Sequence, residues 1–245
     1  MSRILITGSS DGIGRACAVS LLDDGHEVIV HARSQQRLSA VEDLISRGAA
    51  SVVGDLSLPE DLAQIAEQAN RIGAIQAVVH NAGIIDGPLL LPVNVVAPYV
   101  LTATIHGPGR LIYLSSSMHR GGHADLSCAD WSGSRKTVSY SDSKLFATTL
   151  MAAVARLAPA SIAHAVDPGW VPTKMGGPDA TGVLSLSHVT QSWLATTDDS
   201  QALVSGRYWH HHRTEAPHCA VHDEQFQADL LLALEKHTGV QLSSN

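Results

Sequence analysis

The strongest constraint on the fold is an alternation of short apolar runs with stretches patterned as helices. Runs with strand character fall at residues 4–6, 28–30, 51–53, 77–80, 111–114 and 162–166. Strands separated by helices pair in parallel, because each helix carries the chain back across a face of the sheet before the next strand begins. The clearest helical stretch starts at Ser57-Leu58-Pro59-Glu60, which reads as a capping box with proline near the first turn. It continues through Leu62, Ile65, Ala66, Ala69 and Ile72 to Gly73. A last strand at 206–209 and a helix through Phe226, Leu230, Leu231 and Leu234, closed by Gly239, complete the pattern. The expected fold is α/β: a doubly wound parallel sheet of Rossmann type with helices on both faces. All 245 residues are expected to form one domain. Such a sheet binds ligands at the carboxyl ends of its strands.

The first strand runs directly into Thr7-Gly8-Ser9-Ser10-Asp11-Gly12-Ile13-Gly14, and Ile13, Ala16, Cys17, Ser20 and Leu21 then recur at helical spacing. Strand, glycine turn and helix in that order place free N–H groups at a helix start, where they favour phosphate, while glycines admit a pyrophosphate close to the backbone. Further along, Tyr140-Ser141-Asp142-Ser143-Lys144 stacks a phenol and an ammonium on one helix face. A positive charge beside a phenol stabilises its phenolate and is expected to draw its pKa down toward the working pH, as general acid-base chemistry requires.

Composition excludes several alternatives. A formal net charge of −7 with a pI near 6.0, and no dense Lys/Arg run, argues against a nucleic-acid partner. Cys17, Cys128 and Cys219 are far apart and form no CxxC pair, which fits reduced thiols of a cytoplasmic protein better than a disulfide framework. The most apolar stretch, 84–101, is interrupted by Asp86, Gly87, Pro88, Pro92, Asn94 and Pro98, so a membrane span is not expected. His210, His211, His212, His218, Cys219 and His222 form a dense cluster, but consecutive histidines point to alternate sides and no paired-ligand motif accompanies them. No metal site is expected there. After residue 166 comes Asp167-Pro168-Gly169-Trp170-Val171-Pro172-Thr173 and a Gly/Pro/Ser/Thr-rich stretch. A substrate loop over about 169–189 is expected, with Trp170, Met175, Val183 and Leu184 to fold over a ligand.

With these motifs in order, the chain resembles the short-chain dehydrogenase/reductase family over nearly its whole length. Its spacing is nearest to the retinol-dehydrogenase-like and carbonyl reductase branch. The resemblance implies cofactor contacts from Gly8, Ser10, Asp11, Gly12, Ile13 and Gly14, from Asp55 and Leu56 on the adenine side, and from Asn81, Ala82 and Gly83. It adds Pro168, Gly169, Val171 and Thr173 of the proline-glycine motif. It makes Tyr140 the acid that protonates a carbonyl oxygen, and Lys144 the ribose ligand that also lowers the tyrosine pKa. Asn94 would anchor a water or backbone relay to the lysine. Ser116 would hydrogen-bond the substrate oxygen, with Ser115 as the alternative in a run of three serines; Met118-His119 follows Ser116 as in that branch.

The second strand ends Val30-His31-Ala32-Arg33, with alanine where an NAD-preferring relative carries an acid, so Arg33 would meet a 2′-phosphate and NADP is favoured over NAD. Asp11 argues the other way, since some NADP-preferring relatives carry a base there. Ser116 and Tyr140 are 24 positions apart, and the intervening insert, 118–139, places Trp131 and His123 near the mouth of the site, either shaping the pocket or forming a solvated flap. The segments on both sides of Asn94 are short. In relatives these helices make the oligomer contact, so a homo-oligomer is allowed but not specified. The implied activity is hydride transfer between nicotinamide and a carbonyl or secondary alcohol carbon of a small lipophilic substrate. The alternative is a non-catalytic NAD(P)-binding redox sensor.

Overall fold

The computed structural model describes residues 1–242. One eight-stranded sheet runs through it in the order β3-β2-β1-β4-β5-β6-β7-β8. The strands are β1 Arg3–Ile6, β2 Glu27–Ala32, β3 Ala50–Val53, β4 Ala77–His80, β5 Arg110–Leu114, β6 Ile162–Asp167, β7 Arg207–His210 and β8 Arg213–Glu215. All pair in parallel except β8, which returns antiparallel along β7. The helices are α1 Gly12–Asp23, α2 Glu42–Ser46, α3 Pro59–Ile72, α4 Ala97–Thr104, α5 Tyr140–Leu157, α6 Leu184–Ser187, α7 Val189–Thr196 and α8 Glu224–Thr238.

Alternation along the strands builds a core on each face. Leu5, Ile29 and Val78 join one core with residues of α3, α4, α5 and α8, while Ile4, Ile6, Val28, Val30 and Val79 join the other with residues of α1 and α7. The strand order reverses between β1 and β4, and a crevice opens there at the carboxyl ends. The glycine turn after β1 and Asn81-Ala82-Gly83 after β4 meet in it. The Asn81 side-chain amide donates to the Thr7 and Gly8 carbonyls at 2.8 and 3.2 Å, and the Ala82 N–H donates to the Thr7 hydroxyl at 3.0 Å.

Four expectations change. Ser57 does not cap α3: Leu58 occupies that position without a side-chain bond, and the Ser57 hydroxyl donates instead to Asp55 at 2.8 Å. The expected 169–189 loop is helical at its end, where α6 and the start of α7 lie. Strand β8 went unforeseen, because the turn before it has no glycine; His211 and His212 take up φ of 46° and 60°. Left-handed backbone costs a side-chain-bearing residue roughly 1–2 kcal/mol. Here the turn is held from outside, by the His212 N–H donating to the Thr190 hydroxyl and by the His212 ring lying on Trp193. The insert is packed in part, although His123 is exposed. Trp131 packs on Phe146 of α5 with ring centroids 6.1 Å apart, and Gly133 lies against Leu89 and Pro92.

Candidate active site

The crevice is a cleft of ≈ 400 Å³. Its upper part is the glycine turn. Gly8 and Gly12 have φ of +63° and +54°, and a Cβ on Gly8 would meet Ala82 at 3.0 Å, so close approach and left-handed backbone both exclude a side chain. Asp11 caps α1, its carboxylate accepting from the Gly12 N–H at 2.8 Å. The same carboxylate pairs with Lys174 from the loop after β6, and that pairing holds Asp11 below the usual carboxylate range. Thr173 lies against Gly12, so this loop is clasped to the glycine turn at two adjacent points. Ser10, Ile13, Asp55, Leu56, Asn81, Ala82, Gly83 and Pro168 line the cleft. Val171 is buried behind it, and Gly169, at φ +81°, turns the chain out of β6.

At the adenine end the Arg33 side chain is 75% exposed and lies 3.9 Å from Asp55. His31, which the sequence reading treated as part of a strand, holds the turn together. The Gly8 N–H donates to its Nδ1 at 3.0 Å, so Nε2 carries the proton and donates to the Gly54 carbonyl at 2.9 Å. Burial lowers its pKa and keeps it neutral, as both bonds require. A histidine inside an apolar run was the available signal.

At the opposite end the chain brings Tyr140, Lys144, Ser116 and Asn94 together. Tyr140 opens α5 behind a capping box formed by Ser139 and Asp142. One turn on, Lys144 is buried with its Nζ 5.7 Å from the Tyr140 ring centre, donating to the Leu114 carbonyl at 2.7 Å. The two serines part company. The Ser115 hydroxyl is buried in a 2.6 Å bond with Thr148, whereas Ser116 caps the next turn, accepting from the Met118 N–H at 3.2 Å, and its hydroxyl interacts with the Tyr140 phenol.

Asn94 lies in a π-helical turn, Pro92–Val96, a distortion common at functional sites. Its oxygen accepts from the Ile84 N–H at 2.9 Å, and its amide donates to the Ile84 carbonyl and the Ser143 hydroxyl at 2.9 and 3.0 Å. Both amide hydrogens are thereby committed, so the residue fixes backbone; any proton relay through it is left with the oxygen's remaining lone pair. Gly83 lies against both this oxygen and Lys144 Nζ.

The electrostatics differ from expectation. Burial first, then the charge of Asp167, raises the Tyr140 pKa to about 12, with Ser116 opposing. Burial draws Lys144 down to about 8, with Asp167 opposing. The expected lowering of the phenol by Lys144 is not found; Ser116 is the group that lowers it.

Two histidines of the cluster have partners outside it. His210 pairs with Glu215 at 3.1 Å, and the His218 N–H donates to buried His119 at 3.0 Å. No helix among the described residues is long and apolar enough to cross a membrane.

The glycine turn, Tyr140 and Lys144 thus line one cleft of a parallel α/β sheet, and comparison with known proteins gives the family. The model of the short chain dehydrogenase family matches residues 2–106. The chain is 36% identical to an uncharacterized oxidoreductase of Emericella nidulans over 98% of both chains, and 35% identical to a short-chain dehydrogenase of Gibberella zeae over the full length of both. Among solved structures it is similar to a protein of Mycobacterium paratuberculosis, with TM-score 0.79, 20% identity and coverage of 99% of this chain and 95% of that one. It is also similar to a Shigella flexneri short chain dehydrogenase complexed with NADP, with TM-score 0.70, 22% identity and coverage of 86% and 97%. The chain belongs to the short-chain dehydrogenase/reductase family, whose members are NAD(P)-dependent oxidoreductases.

Proposed function

We propose that this protein is a reductase that converts a carbonyl group of a small lipophilic substrate to an alcohol, with NADP as the preferred cofactor. The observation that carries this reading is that Tyr140 and Lys144 line the same cleft as the glycine turn, with Ser116 beside the Tyr140 phenol. The cradle fits a dinucleotide: the helix start and glycines suit a pyrophosphate, and Lys144 suits a ribose. Arg33 suits a 2′-phosphate, and Asp11, neutralised by Lys174, no longer repels one. When bound there, reduced nicotinamide would supply the hydride to the carbonyl carbon. Ser116 donates to the carbonyl oxygen and orients it, and Tyr140 gives its phenolic proton to that oxygen as the C=O π bond breaks. Asn94 holds Ile84 and Ser143, and so the wall and helix on which Tyr140 sits. A raised phenol pKa keeps Tyr140 protonated at neutral pH, which suits reduction; the reverse reaction needs the phenolate and gains as pH rises. Ile84, Leu89, Val93 and Met175 give the cleft an apolar lining.

The test is an assay of aldehydes and ketones of graded lipophilicity with NADPH and NADH, following nicotinamide absorbance. Turnover with at least one lipophilic carbonyl, faster with NADPH, is expected. Cofactor binding without turnover would favour a sensor. Arg33→Asp is expected to lower the NADPH/NADH ratio of kcat/KM by at least tenfold, because guanidinium–phosphate pairing is lost and a like charge replaces it. An unchanged ratio would remove Arg33 from cofactor choice. Asn94→Ala frees the Ile84 N–H and carbonyl and the Ser143 hydroxyl; a roughly 1–3 kcal/mol loss of stability, read by denaturant midpoint, should accompany reduced kcat.

A further inference from the structure

The loop after β6 is bonded mainly to itself. Its ends meet where the Gly182 N–H donates to the Trp170 carbonyl at 2.8 Å. Inside it, the Thr173 carbonyl and hydroxyl accept from the Gly177 and Gly176 N–H groups at 2.9 and 3.1 Å, and the Trp170 indole N–H donates to the Gly176 carbonyl at 2.9 Å. Residues 170–182 thus form a compact Ω-loop. Among the described residues, the ion pair of Lys174 with Asp11 is the one polar contact that ties this loop to another part of the chain. The Asp11 carboxylate divides its oxygens between two tasks: one accepts from the Gly12 N–H, and the other holds the Lys174 ammonium. Both residues line the cleft, with Arg33 and Asp55 toward the adenine end and Tyr140 and Lys144 toward the other.

We propose that the Asp11–Lys174 pair is a latch that closes the loop over the glycine turn, and that opening of this pair limits how fast a dinucleotide enters. The inference rests on the dinucleotide-binding reading of the cleft and is independent of the reaction assigned to it. A pyrophosphate placed on the glycine turn has its adenosine toward Arg33 and its nicotinamide toward Lys144, so the cofactor extends to both sides of the bridge and the bridge has to part to admit it. The loop is built to move as a unit, because its own hydrogen bonds stay intact when the clasp opens. The clasp itself is weak enough to open. Its two side chains are 79% and 48% exposed, so water and salt compete for both partners. Thr173, seated against Gly12, returns the loop to the same place when the pair re-forms.

The experiment is stopped-flow association of NADPH with the full chain, followed by energy transfer from tryptophan to the nicotinamide. Asp11→Asn removes the charge and keeps the cap on α1, since asparagine caps as well as aspartate. Lys174→Gln removes the other charge. If the two residues acted only through their charges on an anionic ligand, the variants would move in opposite directions: entry would quicken without the carboxylate and slow without the ammonium. A latch makes both quicken, by roughly two- to fivefold, the range an exposed ion pair supports. The double variant should gain no more than either single one, because one broken clasp cannot be broken twice. Lys174→Arg, which keeps the pair, should enter at the wild-type rate. The association rate is the readout rather than the affinity, because Lys174 also offsets the charge of Asp11 and its loss should quicken dissociation as well. Opposite shifts, or unchanged rates in both single variants, would overturn the proposal. So would complete loss of NADPH binding in Lys174→Gln, which would make the lysine a phosphate ligand instead. Faster entry in both variants of a protein that reduces no carbonyl would overturn the assigned reaction and leave the latch standing.

Discussion

Tyr140→Phe is expected to lower kcat for carbonyl reduction by roughly 10²–10⁴-fold, the range general acid catalysis contributes, with NADPH affinity changed little. The phenol has two neighbours that bear on chemistry, Ser116 at its hydroxyl and Lys144 beneath its ring, and it makes no structural hydrogen bond whose loss would unfold the helix start. That start is held by Ser139 and Asp142 instead. The variant should therefore melt close to wild type, so that a lost rate is a lost proton. Lys144→Ala should differ by losing both rate and cofactor affinity, and by losing stability as well, since it vacates a buried site and orphans the Leu114 carbonyl. Substantial reductase activity in Tyr140→Phe would end the proposed mechanism, whereas parallel loss of rate and melting temperature would recast the tyrosine as structural. Because its pKa is raised, reduction should persist through neutral and mildly alkaline pH and fall as pH rises through the phenol's pKa.

Much of this was legible because chain-local patterns carry it. Strands β1 to β6 announce themselves as apolar runs, and the glycine turn and the Tyr140/Lys144 spacing need no tertiary information. What escaped depends on contacts between distant segments. The choice between Ser115 and Ser116 turns on Thr148, 33 positions from Ser115, which takes up the first hydroxyl. Asn94 reaches its place through a π-helical turn that spacing alone does not reveal. The clasp on Asp11 by Lys174 and the seat of His31 between Gly8 and Gly54 join residues that have no periodic relation. The tyrosine's pKa followed the same rule. A lysine four residues away is visible in sequence, but the buried carboxylate that raises the phenol's pKa arrives from another strand. Ser57 shows the converse failure, a local capping signature overridden because Asp55 accepts the hydroxyl first.

The glycine turn provides the second large effect. Gly14→Ala should weaken NADPH binding by more than tenfold and destabilise the fold by about 1–3 kcal/mol, the usual cost of overpacking. A Cβ there would fall 2.3 Å from the Asn81 amide nitrogen and 2.6 Å from the Gly8 carbonyl oxygen. The second contact is backbone, so a rotamer change cannot relieve it. Moving the first breaks the Asn81 bonds to the Thr7 and Gly8 carbonyls, which join the turns after β1 and β4 across the strand-order reversal. The strain therefore falls on the cradle itself, and affinity should drop more than a stability loss of that size would produce alone. In a chain this long each kcal/mol is about 2–4 °C, so melting should fall by up to roughly 10 °C. Gly25→Ala is the matched control. Its φ of +79° imposes backbone strain, but nothing lies within 4 Å of the added carbon, so stability should fall while NADPH affinity holds. Equal cofactor affinity in Gly14→Ala and Gly25→Ala would place the dinucleotide away from the turn, and with it the hydride donor away from Tyr140.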